Sequence, residues 1–194
     1  MEPTANDGPQ FVSRGGVKLA HALDHFGLNC AGLVCADLGS HVGGFVDCLL
    51  QRGAARVYSV DTSYGTFAWK LRRDAGVVVL ERTNAMHVEL PEPVDLVTID
   101  VGWTRQAMIL PHARTLLKPT GRIVALIKPQ YEASEEQLEG GVVTAKQREA
   151  IVSDVSAQIH EYGLEIAGLV DSPITGHGGN CEVLALLLPL TKEE

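Results

Sequence analysis

Residues 33–50, LVCADLGSHVGGFVDCLL, constrain what this chain can fold into more than any other stretch. The apolar run 33–36 ends in Asp37-Leu38-Gly39, a loop holding Gly43 and Gly44 follows, and an amphipathic segment opens at Phe45. A strand, a glycine loop and a helix in that order make a ligand cradle. The strand delivers side chains to one edge of a sheet, and glycines let backbone N–H groups approach a bound molecule.

The rest of the chain can supply such a sheet. Its 194 residues fit one domain with a substantial core, and 45% hydrophobic with 21% charged residues is ordinary for a globular protein. Reading along it, the organisation is a loose leader over 1–10, rich in Pro, Asn, Asp and Gly, and a single domain over 11–194. Helical periodicity places Leu19, Leu23 and Phe26 on one face of a leading helix. Strands are expected at 33–36, 56–61, 77–80, 94–100, 122–128, 164–170 and 181–188. Helices are expected at 66–74, at 105–117 up to the stop Lys118-Pro119-Thr120-Gly121, and at 144–162. Strands alternating with helices imply right-handed crossovers. The expected fold is therefore α/β, a mostly parallel seven-stranded sheet with helices on both faces.

Composition removes several function classes. A net charge of −8 argues against gripping nucleic acid by bulk electrostatics, and 5% aromatic residues argue against a stacking surface built from many rings. No apolar run is long enough for a membrane span, and the N-terminus lacks the basic start and apolar core of a signal peptide. Cys30, Cys35, Cys48 and Cys181 form no CxxC pair, and the seven histidines form no HExxH. The expectation is a reduced, cytoplasmic protein without a metal site, with Cys35 and Cys48 as buried free thiols.

Ligands of such a sheet sit at the carboxyl ends of its strands. Those ends carry Asp37, Asp61, Asn84, Asp100 and Lys128. One strand-terminal acid alone often caps the next turn, but several strands ending on polar or charged groups point to a site. Asp61 closes the second strand about twenty residues beyond the glycine loop, where an acid accepts hydrogen bonds from a ribose diol. The loop 39–44, GSHVGG, is neither GxGxxG nor a P-loop, since it has other spacing and no Lys-Ser/Thr pair. A nucleoside ligand without a pyrophosphate fits it better, and S-adenosylmethionine is the common cofactor of that description.

Further motifs run in order along the chain: FVSRGGVKL (11–19), GGFVDCLLQRG (43–53), VYSVD (57–61), ERTN (81–84), VDLVTIDV (94–101), LIKPQYE (126–132), GGVV (140–143), SPI (172–174) and GNCE (179–182). Together they resemble the TlyA-type, hemolysin-A-like methyltransferases of the FtsJ-like superfamily. The resemblance implies a Rossmann-like sheet whose seventh strand is antiparallel to the others. It also implies S-adenosylmethionine-dependent methyl transfer to a ribose 2′-hydroxyl of RNA, with ribosomal RNA or a ribosomal subunit as the expected substrate. By motif, the family's Lys-Asp-Lys-Glu tetrad falls on Lys18, Asp100, Lys128 and Glu182. Cofactor contacts fall on Asp37, Gly39, Ser40, Gly43, Gly44, Phe45, Asp61, Thr83, Asn84 and Asp100. Lys128 is the expected general base: a neighbouring cation such as Lys18 favours its neutral amine, while the carboxylates favour the protonated one.

The chain departs from the family pattern in three ways. An S4-type RNA-binding domain usually precedes the SRGG segment, and only ten residues stand before Phe11, so a separate protein partner is one expected substitute. Glu139, Thr144 and Thr175 occupy positions often basic in the family. Finally, Gly102-Trp103 replaces a Ser-Phe pair, and His41-Val42 replaces a small Thr. Arg14, Lys18, Arg105 and Lys128 remain as an expected RNA-facing mouth in an acidic body. Two other readings stay open beside RNA methylation, namely methyl transfer to a smaller acceptor and a non-catalytic cofactor- or RNA-binding module.

Overall fold

The computed structural model describes residues 10–190, so the expected leader lies almost entirely outside the described residues. Seven strands form one sheet in the order β3-β2-β1-β4-β5-β7-β6. They are β1 (Val34–Leu38), β2 (Arg56–Val60), β3 (Val77–Leu80), β4 (Val94–Ile99), β5 (Leu117–Ile127), β6 (Leu164–Asp171) and β7 (Val183–Pro189). β1 pairs in parallel with both β2 and β4, so the chain reverses its direction of travel across the sheet between them. That reversal is the topological switch point at which open α/β sheets bind ligands. β7 alone runs against the other six strands, pairing antiparallel with β5 and β6. The mixed sheet is therefore the one expected, with its antiparallel strand inserted between β5 and β6.

Alternation along the central strands divides the core in two. On β5, Ile123, Ala125 and Ile127 pack with Ile109 and Leu110 of α4 (Gln106–Thr115) and with Ile151, Val155 and Ile159 of α6 (Ala145–Ile159). Val124 and Leu126 face the opposite layer. They pack there with Leu19 and Leu23 of α1 (Gly15–His25) and Phe45 and Leu49 of α2 (Gly44–Gln51). Cys30, Cys35 and Cys48 are buried in that second layer as free thiols, and burial pushes all three thiol pKa values up. Two short helices, α3 (Trp69–Arg72) and α5 (Pro129–Glu132), follow β2 and β5. None of the helices among the described residues is long and apolar enough to cross a membrane.

Several boundaries differ from expectation for local reasons. The stop 118–121 is not a separate turn. β5 already pairs at Leu117 with Val94, and 118–121 form an irregularity before pairing resumes at Arg122 with Leu96. Lys118 stays tied there by its Nζ to Asp95 at 2.8 Å. The helix expected at 66–74 shrinks to α3 because Ala68 N–H is drawn to the Val42 carbonyl at 3.0 Å, holding the preceding loop against the cradle. α6 begins with a capping box in which Thr144 and Gln147 satisfy each other's backbone, and it ends in a 3-10 turn, His160–Tyr162. β7 starts two residues later than expected, so Cys181 and Glu182 precede its first paired residue, Val183.

The glycine pairs in SRGG and VGG act on each other. A Cβ on Gly44 would lie 2.1 Å from Ser13 Oγ and 2.9 Å from the Gly16 amide nitrogen, and one on Gly16 would fall 2.3 Å from Phe11 Cγ. The start of α1 can thus lie directly on the start of α2 only because both lack side chains. Val12 N–H closes the contact by donating to the buried Asp47 carboxylate at 2.8 Å. Gly44→Ala should overpack this joint and cost about 1–3 kcal/mol. The check is a lowered urea midpoint with an unchanged denaturant slope; an unchanged midpoint would mean that α1 docks without this close approach.

Candidate active site

The carboxyl ends of β1, β2, β4 and β5 open into a cavity of about 580 Å³. Each wall has a local cause. Gly39, at φ 91°, carries the chain away from β1 so closely under β4 that a Cβ would meet the Asp100 carbonyl at 2.7 Å. His41 also has positive φ, 48°, and its N–H donates to Asp61 Oδ2 at 2.8 Å, so the loop folds over the end of β2. Ser63 N–H donates to the other oxygen, Oδ1, at 2.7 Å. Burial works to raise the Asp61 pKa, but the Ser63 and His41 hydrogen bonds outweigh it and hold the carboxyl below its ordinary value.

Asp37, at the end of β1, is fully buried. Thr98 Oγ1 donates to its Oδ1 at 2.7 Å, whereas Oδ2 has no partner. Desolvation raises its pKa to about 7 against the lowering effect of Thr98, while Ser40 Oγ donates to the Asp37 main-chain carbonyl at 3.0 Å. An orphaned carboxylate oxygen in a cavity wall is a place for a cationic or hydrogen-bond-donating ligand group.

Four charged residues meet opposite this cradle. Lys18 comes from the first turn of α1, Asp100 follows β4, Lys128 follows β5, and Glu182 precedes β7. All four line the same cavity. Lys128 Nζ lies 2.6 Å from Asp100 Oδ1 and donates to the Val101 carbonyl at 2.9 Å. Lys18 and Glu182, 9% and 3% exposed, form a direct ion pair through Glu182 Oε2. Such a dry pair is held by geometry, since either charge alone would be costly to bury.

The remaining sequence candidates divide between two spaces. Gly39, Ser40, Gly44, Phe45, Asp61 and Arg14 line the large cavity. Thr83 and Asn84 line a smaller one of about 110 Å³, with Ala85 and Met86, which adjoins the first through Gly39, Asp61, Thr62 and Gly102. Gly43 lines neither. At φ 100° it caps α2, and a Cβ there would strike Leu71 and Phe67, so its freedom serves the turn and the core. Arg105 lines neither cavity and sits exposed just ahead of α4.

Sequence reading missed Thr62, Gln130, Tyr131 and the cavity-facing position of Trp103. Thr62 directly follows a strand-end acid, and Gln130 and Tyr131 lie within LIKPQYE, so the signal was adjacency to residues already chosen. Gln130 Oε1 is buried without a partner. Trp103, 88% exposed and at φ 58°, lies at 4.9 Å from the Tyr131 ring, with the two planes tilted by 32°. Arg82 covers the exposed Tyr64 ring at 4.1 Å, and neither residue lines either cavity. Aromatic residues are few in this chain, yet Phe45, Trp103 and Tyr131 all line the large cavity. No group of three or more metal-ligating side chains occurs among the described residues.

Asp37 predicts a pH dependence of stability. Its folded pKa of about 7 exceeds the ordinary 3.8, so the folded protein binds this proton more tightly than the unfolded chain does. The stability so gained is full below about pH 4 and is lost as pH rises towards 7. Asp37→Asn should remove that trend: relative to the variant, the native protein should lose a few kcal/mol, to order of magnitude, between pH 4 and 7 and then level off. Urea titrations across that range measure it, and parallel profiles would show that Asp37 ionises normally.

Residues 11–187 match the FtsJ-like methyltransferase family. The chain is 43% identical over 178 residues to the 16S/23S rRNA (cytidine-2′-O)-methyltransferase TlyA of Mycobacterium tuberculosis, covering 89% of this chain and 66% of the relative. To Hemolysin A of Brachyspira hyodysenteriae it is 35% identical over 185 residues, covering 91% and 76%. A solved structure from Streptococcus thermophilus, provisionally named a hemolysin, superposes with a TM-score of 0.91 at 37% identity, covering 95% of this chain and 69% of that one. The chain thus spans just under two thirds of the length of its TlyA relative. With Lys18, Asp100, Lys128 and Glu182 gathered around one cavity and the family match running through almost the whole described fold, the chain belongs to the FtsJ-like methyltransferase family.

Proposed function

We propose that this chain is an S-adenosylmethionine-dependent methyltransferase acting on a ribose 2′-hydroxyl of RNA in the cytoplasm, with ribosomal RNA as the acceptor. The observation that carries the reading is the meeting of Lys18, Asp100, Lys128 and Glu182, from four separate elements, in the cavity that also holds Gly39, Asp37 and Asp61. The name of the TlyA relative gives the same chemistry for that protein.

The residues present fit the cofactor. Asp37 Oδ2 is an unpartnered acceptor for the ammonium of an amino-acid moiety, and each Asp61 oxygen keeps lone-pair capacity for a ribose hydroxyl. Thr83, Asn84 and Met86 around the smaller cavity suit a planar base, and Gly39 leaves the wall bare between the two spaces. Bound there, S-adenosylmethionine supplies an electrophilic methyl group.

Lys128 is placed to manage the acceptor's proton. A neutral amine has two N–H groups and one lone pair. Asp100 Oδ1 and the Val101 carbonyl engage two directions around Nζ, which leaves another for a hydroxyl in the cavity. Lys18, paired with Glu182, sets a fixed charge beside that position. Trp103 and Tyr131 offer an aromatic surface at the mouth on which the acceptor's base stacks, an interaction worth about 1–3 kcal/mol. The net charge of −8 favours a second reading, a smaller acceptor needing few phosphate contacts.

Transfer of a tritiated methyl group should label ribosomal subunits or free ribosomal RNA; labelling of nucleosides alone would establish the second reading. Calorimetry should show S-adenosylmethionine binding that weakens about tenfold or more in Asp61→Ala. Lys128→Ala should keep that binding and lower kcat by about 100-fold or more. An intact protein that ignores S-adenosylmethionine would sink both enzyme readings.

A further inference from the structure

We propose that Gly176 and Asn180 are positioning residues that hold the Glu182 carboxylate against Lys18. The inference rests on the methyl-transfer reading above and assigns to that site a support outside the tetrad.

Glu182 stands before the first ladder pair of β7, so sheet hydrogen bonds do not fix its side chain. Its support comes from the loop 172–182. Ser172 N–H donates to the Glu182 carbonyl at 2.9 Å, and Gly176 N–H donates to the Asn180 carbonyl at 2.8 Å, closing the loop on itself. The buried Asn180 side chain then joins it to the turn 139–143. Nδ2 donates to the Gly141 carbonyl at 3.1 Å, and Oδ1 accepts from Val143 N–H at 3.0 Å. Arg148 in the first turn of α6 adds a third tie, donating from Nε to the Cys181 carbonyl at 3.1 Å.

Gly176 sets the floor under the carboxylate. A Cβ there would stand 2.3 Å from Glu182 Oε1 and 2.7 Å from Cδ, so the carboxylate rests on bare backbone. Gly176 is extended, at φ −71° and ψ −172°, a conformation open to any residue. Its lack of a side chain is therefore a matter of room for Glu182 rather than of backbone freedom. An alanine would leave the loop's backbone unstrained and displace the carboxylate from Lys18. In a dry ion pair beside Asp100 and Lys128, that displacement disturbs the charge arrangement around the acceptor's hydroxyl.

The test compares Gly176→Ala, Asn180→Asp, Glu182→Asp and the Gly176→Ala/Glu182→Asp pair in the full chain. One readout is the 13C-carboxyl resonance of Glu182, assigned by its disappearance in Glu182→Gln; the other is steady-state methyl transfer. Gly176→Ala should shift that resonance and lower kcat by about 100-fold while leaving the KM for S-adenosylmethionine unchanged. Asn180→Asp keeps the acceptor for Val143 N–H, loses the donor to Gly141, and should shift the resonance in the same direction. With the shorter acid in place the added methyl has room, so the double variant should be no slower than Glu182→Asp alone. An unmoved resonance in both Gly176→Ala and Asn180→Asp, or losses that multiply in the double variant, would overturn the proposal. If Gly176→Ala does not fold, the Asn180→Asp resonance decides. A native protein that methylates no acceptor defeats the functional reading, and the resonance still decides the positioning.

Discussion

The site depends on a contact between two pieces of backbone. α1 can lie on the start of α2 only because Gly44 presents no side chain to Ser13 and the Gly16 backbone, and Gly16 none to Phe11. That approach brings Lys18 over the sheet edge, where Glu182 arrives from the far side through the return of β7. Without it Lys18 would be an ordinary charge on a helix face, and Glu182 would be a buried carboxylate without a cation. The large aliphatic residues behind the contact, Leu19, Leu23 and Leu49 among them, supply most of the burial that holds it.

The electrostatics of the cavity are divided between two kinds of carboxylate. Asp37 is desolvated, half satisfied and raised towards neutrality, so it favours a cation brought by a ligand. Asp61 is nearly as dependent on its surroundings but in the opposite sense, because two backbone N–H groups stabilise its charge. Asp100 and Glu182 each already hold a lysine. The lysines at this sheet edge are thus each charge-compensated, and the acidic chain sets two lysine–carboxylate pairs around one cavity.

Much of this was legible in order along the chain. The alternation of apolar runs with helical periods, and the polar residues ending those runs, located the sheet and its working edge. The residues Asp37, Asp61, Asp100 and Lys128 were visible because they stand at or just past a strand's end, where the next loop begins. Lys18 and Glu182 were legible only through family motifs. One is a charge on a helix and the other precedes a strand, and neither has a periodicity that marks it. Gly43 and Arg105 show the limit of motif adjacency: the first turns towards Phe67 and Leu71, and the second stands ahead of α4 outside both cavities. The stop 118–121 misled for a different reason, since Pro and Gly can form an irregularity within a paired strand as readily as a turn.

By itself, then, the sequence determined the layered α/β architecture, the glycine cradle and the chemical character of the strand ends, because these follow from local periodicity and residue type. The tertiary structure alone decided which glycines line the cavity and which serve packing. It also decided that Asp37 keeps an unpartnered oxygen, and that Trp103 and Tyr131 share one mouth with Lys128. Each of these turns on groups far apart in the chain, whose distances and burial are set only when the sheet closes its two faces.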